Sequence, residues 1–208
     1  MAQNEKTDGF FAVFYSATPT LAPDLSRLSC ILRKEEIAAL KNDAVKREKF
    51  YVWRLLEHAV KSAAGLDLST LCPRKTDTGK WVADGICFSL SHSCGALAVC
   101  VSDTPCGVDI ERLVPPRVAN FANKALTKRE IAELSALPGT ERGLMLTELW
   151  SKKESLFKVT GTGALCPKSR DTRDGVRAVR VSVGGELFVL SYASENLKKA
   201  TVTEVNLD

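Results

Sequence analysis

Apolar positions along the chain fall into two periods, one near 3.6 and one near 2, and both halves present them in the same order. Leu32-Arg33-Lys34-Glu35-Glu36-Ile37-Ala38-Ala39-Leu40 and Leu126-Thr127-Lys128-Arg129-Glu130-Ile131-Ala132-Glu133-Leu134 agree at six of nine positions, 94 residues apart. Each predicts a short amphipathic helix ahead of a longer one. The longer helices correspond as well, Trp53, Glu57 and Lys61 keeping the spacing of Trp150, Glu154 and Lys158, 97 residues on. Glycines at Gly65, and at Gly161 and Gly163, mark their C-terminal stops.

Strand patterns follow each long helix. Phe88 to His92 turns through Cys94-Gly95 into Ala96 to Val101, and in the second half Glu186 to Tyr192 and Ala200 to Val205 take the same place as a final hairpin. The order predicts an α/β (α+β) fold of two pseudo-equivalent lobes, 1–104 and 105–208, each a small, mainly antiparallel sheet packed with helices. A ligand cleft is expected between them. Only the second lobe carries an acidic strand, and only the first a histidine at the hairpin, so a bridging ligand uses both.

Composition narrows the class. With 208 residues and 45% hydrophobic content, the chain can bury a core as one domain or two small lobes. Met1 to Asp8 are polar, without a signal peptide's apolar run, and no apolar stretch approaches membrane-spanning length, so a cytoplasmic protein without membrane contact is expected. Seven cysteines without a Cys-x-x-Cys pair, and only His58 and His92, disfavour disulfide and zinc readings. The net charge of +4 is not gathered into a basic run, which argues against nucleic acid and suits a phosphorylated small molecule or an acidic protein.

The chemistry gathers in the second half. Val108-Asp109-Ile110-Glu111 alternates, so as a strand it shows Asp109 and Glu111 on one face and packs Val108 and Ile110 on the other. Two such carboxylates repel, a cation relieves the repulsion, and hard oxygen ligands suit Mg²⁺. Alone, the pattern also fits a half-solvated edge strand. On the helix that follows, Leu149, Trp150, Leu156 and Phe157 share an apolar arc, Glu154 and Lys158 lie just past its Trp edge, and Lys153 falls inside it. A lysine there must snorkel, pair with an acid or meet an anionic ligand.

Three ordered blocks resemble the 4′-phosphopantetheinyl transferases of the two-lobed, surfactin-synthetase-activating type. Phe88-Ser89-Leu90-Ser91-His92-Ser93 is similar to the family's F-N-x-S-H-S, with Ser89 replacing Asn. Gly107-Val108-Asp109-Ile110-Glu111 is similar to G-[IV]-D-[IV]-E, and Trp150 to Lys158 fits W-[ST]-x-K-E-[AS]-x-x-K without a gap. The N-terminal third matches poorly.

The resemblance implies transfer of the 4′-phosphopantetheine arm of coenzyme A to a serine of an acyl or peptidyl carrier protein, with Mg²⁺ as cofactor and release of 3′,5′-ADP. It implies Asp109, Glu111 and Glu154 as metal ligands, Glu154 or a metal-bound water as the base, and Lys158 on the pyrophosphate. Lys153 either joins Lys158 there or bridges carboxylates. Ser91 and His92 are implied at the 3′-phosphate, with Lys80 either beside them or an exposed turn lysine. Arg47, Lys49 and Arg54 lie where the family has basic residues for the nucleotide phosphate; Arg47 is carried as the candidate and the choice stays open. Trp53 and Trp150 read as equivalent core anchors. A non-catalytic coenzyme A binding paralogue and a Mg²⁺-dependent pyrophosphate hydrolase are the alternatives, and a cleft complete within one chain predicts a monomer.

Overall fold

Strand β5 (Ala96–Ser102) is an apolar run without polar alternation, and it is buried along its whole length. That pattern belongs to a strand covered on both faces, and the structure supplies both covers. The computed structural model describes residues 9–113, 125–161 and 171–207. Gly163 and Cys166 lie outside them.

β5 sits between β4 (Cys87–Ser93) and β1 (Phe11–Ala17) in a four-stranded sheet of order β4-β5-β1-β9, where β9 spans Ala200–Glu204. The β4–β5 turn, Cys94 at φ 48° and Gly95 at φ 85°, is the left-handed pair that a two-residue hairpin demands. Leu97, Val99 and Val101 face the same core as Ala12 and Phe14. That core is closed by helix α2 (Asp43–Ala64), which follows α1 (Ile31–Ala38). Trp53, Leu55, Leu56, Ala59 and Val60 of α2 are wholly buried there, each large side chain contributing about 2–3 kcal/mol of transfer free energy. The Asn42 side chain accepts the Val45 N–H at the start of α2, a cap worth about 1 kcal/mol.

The opposite face of β5 and β1, with Ala96, Ala98, Cys100, Phe11 and Val13, packs on a second sheet of order β6-β8-β7. Its strands are β6 (Cys106–Arg112), β7 (Val176–Val183) and β8 (Glu186–Ser194), all antiparallel, and Val108, Ile110, Leu190 and Tyr192 meet the first sheet. Helix α4 (Gly139–Thr160), preceded by α3 (Lys128–Ser135), covers the far face of this sheet. A small hairpin of β2 (Arg74–Lys75) and β3 (Trp81–Val82) lies beside the first layer. The layers therefore run helix, sheet, sheet, helix, the mixed α/β class expected. The paired long helices are equal at 22 residues, and Gly65 and Gly161 end them in left-handed conformation, as expected.

Two expectations are corrected. Ala200–Glu204 does not form a hairpin with β8 but runs parallel to β1, Phe11 opposite Ala200. Both edges of β8 are already taken, by β6 and by β7, so the next strand crosses to the open edge of β1. Trp150 is only half-buried, unlike Trp53, because α4 turns serines rather than its aromatic arc toward the sheet.

Candidate active site

Glycine brings helix and acidic strand together. A Cβ on Gly107 would stand 2.0 Å from the Ser155 carbonyl oxygen, so α4 lies directly on the β6 backbone. Ser151 and Ser155, both wholly buried, keep the helix side of this contact equally low, and Ser151 Oγ donates to the Asp109 carbonyl oxygen at 3.4 Å. Glu154 and Lys158 lie within about 60° of Ser151 on the helical wheel, so they share its side. Asp109 and Glu111 share one face of β6, opposite Val108 and Ile110, as alternation predicts.

The two sheets meet edge to edge at β4 and β6. Ser91 Oγ donates to Asp109 Oδ1 at 2.9 Å, and Ser93 Oγ donates to Glu111 Oε2 at 2.9 Å. Lys158 Nζ lies 2.8 Å from Asp109 Oδ1 and 3.0 Å from Ser91 Oγ. The Ile110 N–H also donates to Ser91 Oγ, at 3.3 Å. The single proton and both lone pairs of Ser91 are thus committed. Ser91, implied at the 3′-phosphate, ties the two sheets together and orients Asp109.

The acids strain against one another. Burial, reinforced by the charge of Asp109, raises the pKa of Glu154, and Lys158 offsets only part of this. Glu111 is raised by the same two causes in the same order, while Ser93 and Lys158 pull it down. Asp109 Oδ2 is buried without a hydrogen-bond partner among the described residues. An orphaned carboxylate oxygen amid mutually repelling acids fits a cation, and the all-oxygen donor set suits Mg²⁺. Among the described residues no three side chains are already gathered at coordinating geometry. Mg²⁺ does not require it, since it takes one or two carboxylates and completes its shell with phosphate and water. The donors fit.

Basic residues flank the histidine. Burial lowers the His92 pKa, Glu48 at 3.3 Å from Nδ1 opposes this, and the charges of Lys158, Lys49 and Arg33 lower it further. Lys49, one of the three N-terminal candidates, acts on His92 through its charge. It lies 3.6 Å from Glu36, which also binds Lys75 at 2.7 Å and Arg33. Despite its burial, hydrogen bonds from Lys75 and Arg33 hold Glu36 at a pKa of about 2. Arg54 pairs with Glu57 and lines a separate cavity with Arg27, His58 and Lys61. Arg47 is half-buried and has no ion pair among the described residues.

Two lysines are already engaged within the protein. Lys153 is wholly buried and pairs with Glu130 at 3.0 Å, itself wholly buried, which leaves its ammonium no surface for a phosphate. Burial pushes Glu130 up, but the Thr127 N–H and Lys153 outweigh it and hold the carboxyl below its ordinary pKa. Lys80 is not a loose turn lysine. Its Nζ donates to the Lys158 and Val159 carbonyl oxygens at 2.7 and 3.2 Å, closing the C-terminus of α4, and its stem passes where a Gly161 Cβ would be. Beside it opens a cavity of about 320 Å³, lined by Trp81, Phe88, Ser89, Phe157 and Lys158. Sequence reasoning missed Glu130, although the Thr127-Lys128-Arg129-Glu130 spacing is that of a capping box, and both halves of that box form.

Parts of the chain are similar to known proteins. Residues 105–196 match the model of the 4′-phosphopantetheinyl transferase superfamily. The chain is 30% identical over 112 residues to the 4′-phosphopantetheinyl transferase psf-1 of Bacillus pumilus, covering 52% of this chain and 48% of that protein. It is 28% identical over 163 residues to a 4′-phosphopantetheinyl transferase of Bacillus subtilis, covering 74% and 72%. With the 4′-phosphopantetheinyl transferase Sfp of Bacillus subtilis (strain 168) it shares 36% over 81 residues, covering 38% and 35%. The second half of the chain is thus similar to the 4′-phosphopantetheinyl transferase superfamily. Its alignment spans about half the length of psf-1.

Proposed function

We propose that the chain transfers the 4′-phosphopantetheine arm of coenzyme A to a serine of an acyl or peptidyl carrier protein, in a Mg²⁺-dependent reaction that releases 3′,5′-ADP. The observation that carries this reading is the convergence of Asp109, Glu111, Glu154 and Lys158 where β6, β4 and α4 meet. Asp109, Glu111 and Glu154 are the carboxylates from which Mg²⁺ would draw its protein ligands, and the ion would neutralise the pyrophosphate oxygens.

The serine hydroxyl attacks the β-phosphorus, a new oxygen–phosphorus bond forms, and the bond to the nucleotide phosphate breaks. Lys158 meets the charge that develops on the pyrophosphate and on the leaving group, a contribution of the kind worth about 3–4 kcal/mol. Its ammonium rests on Asp109 and Ser91. Glu154, raised by burial, takes the serine proton directly or through water. His92, with Lys49 and Arg33 near it, receives the 3′-phosphate. Lys80 acts on this region through the end of α4, whose carbonyls it neutralises.

We assign the lobes to 1–104 and 105–208, with β9 returned to the first sheet, and a monomer working in the cytoplasm. No helix of the described residues is long and apolar enough to cross a membrane. The test is to incubate the protein with coenzyme A, Mg²⁺ and an apo carrier protein and weigh the carrier. A gain of about 340 Da that disappears on chelation is expected. Coenzyme A binding without a mass gain favours a binding paralogue, and 3′,5′-ADP released without a carrier favours a hydrolase.

A further inference from the structure

Little relief fixes the rotation of α4 on the second sheet. The helix meets β6 through Ser151, Ser155 and Gly107, a contact with no ridges to interlock. Its apolar anchorage is short, Leu146 and Leu149 packing with Ala125 and Leu126, while Trp150, Leu156 and Phe157 stay half-buried. A turn of about 20° about the helix axis shifts a carboxylate roughly 6 Å from that axis by about 2 Å. A shift of that size disables the site.

Polar contacts on opposite flanks do the fixing. Ser151 reaches the Asp109 carbonyl oxygen on one side. About 160° round the helix, Lys153 Nζ meets Glu130 Oε2 at 3.0 Å, with neither side chain exposed. Glu130 is itself held at both oxygens. Oε2 takes the Thr127 N–H at 2.8 Å at the start of α3, and Oε1 takes the Thr172 hydroxyl at 3.2 Å on the chain entering β7.

We propose that Lys153 and Glu130 form a rotational pin that aims Glu154 and Lys158 at Asp109, positioning the site without touching its ligands. A buried ion pair is a poor means to stability, since apolar residues of the same volume hold a core as well. Its value is directional. An ammonium–carboxylate contact fails when the helix turns slightly, whereas two apolar side chains slide past one another. The lysine immediately before Glu154 cannot move without carrying that carboxylate with it.

The pin rests on the transfer reading above, and the test keeps the two apart. The double variant Glu130→Gln, Lys153→Met removes both charges of the pair together and keeps a side chain suited to the α3 cap. The expected product is a folded protein in whose crystal structure the Glu154 carboxylate has moved by about 1 Å or more from Asp109, enough to lower kcat on the order of a hundredfold. KM for coenzyme A should change less than about twofold, as expected of an effect confined to the transition state. Adding Glu154→Gln should lower the rate no further than Glu154→Gln alone, because the pin acts through that carboxylate. An unrotated α4, a wild-type kcat or full additivity with Glu154→Gln overturns the proposal. If the double variant does not fold, Thr172→Val is read instead: helix rotation with a several-fold loss of kcat supports the pin, and wild-type values in both overturn it. A wild-type protein that modifies no carrier counts against the transfer reading alone, since the rotation is still read in the crystal.

Discussion

Lys158 Nζ stands 2.8 Å from Asp109 Oδ1 across the contact of α4 with β6, while Asp109 Oδ2 has no hydrogen-bond partner among the described residues. One carboxylate oxygen is thus satisfied by the protein's own cation and the other is held open. Lys158→Met removes the first without adding volume to the second. Turnover is expected to fall on the order of a hundredfold or more. The thermal midpoint should also fall, because a buried carboxylate loses its counter-charge. Paired kinetics and thermal unfolding check this, and an unchanged midpoint would show that the contact does not form in solution.

Gly107→Ala tests the close approach. A methyl group 2.0 Å from a backbone oxygen cannot be relieved by a rotamer change, so α4 must lift from β6. Destabilisation of about 3 kcal/mol, at the upper end for overpacking, is expected from denaturant unfolding. Turnover should drop with it, since Glu154 and Lys158 ride on the displaced helix. A variant of wild-type stability would mean that the backbone gives way more easily than this packing implies.

Glu36 gathers Arg33, Lys49 and Lys75, and its folded pKa of about 2 lies below the ordinary 4.5. For a depressed acid the unfolded chain binds more protons, so the stabilisation is present above pH 4.5 and is lost as pH falls toward about 2. Discounted for solvent screening, its size is about 1–2 kcal/mol. Thermal midpoints of wild type and Glu36→Gln should therefore differ at pH 7 and converge on acidification through that window. Parallel curves across the window would tell against the cluster.

Much of this was legible in the sequence, and the reasons are particular. Alternation in Val108 to Glu111 set the acids on one face because a strand has a period of two, and glycine at 65 and 161 marked helix ends because few other residues take a left-handed cap. The hairpin at Cys94-Gly95 was equally local. Long-range choices were not. Nothing within Ala200–Glu204 says that β8 is already paired on both edges, so its true neighbour, β1, could not be read from it. The arc of Leu149, Trp150, Leu156 and Phe157 misled because periodicity ranks apolarity, whereas the β6 contact selected small residues, Ser151 and Ser155, for close approach. Lys153 was flagged correctly as needing a partner. Its acid, Glu130, sits 23 positions away on another helix, and only the folded chain joins them.

The most direct test of the account compares Glu154→Gln with wild type in carrier modification and in coenzyme A binding. The substitution removes a charge and a proton acceptor while keeping shape, so the carrier should stay at its apo mass while calorimetry shows coenzyme A bound within about threefold of wild-type affinity. A carrier that gains the full arm at the wild-type rate would contradict the role given to Glu154 and, with it, the site built around Asp109.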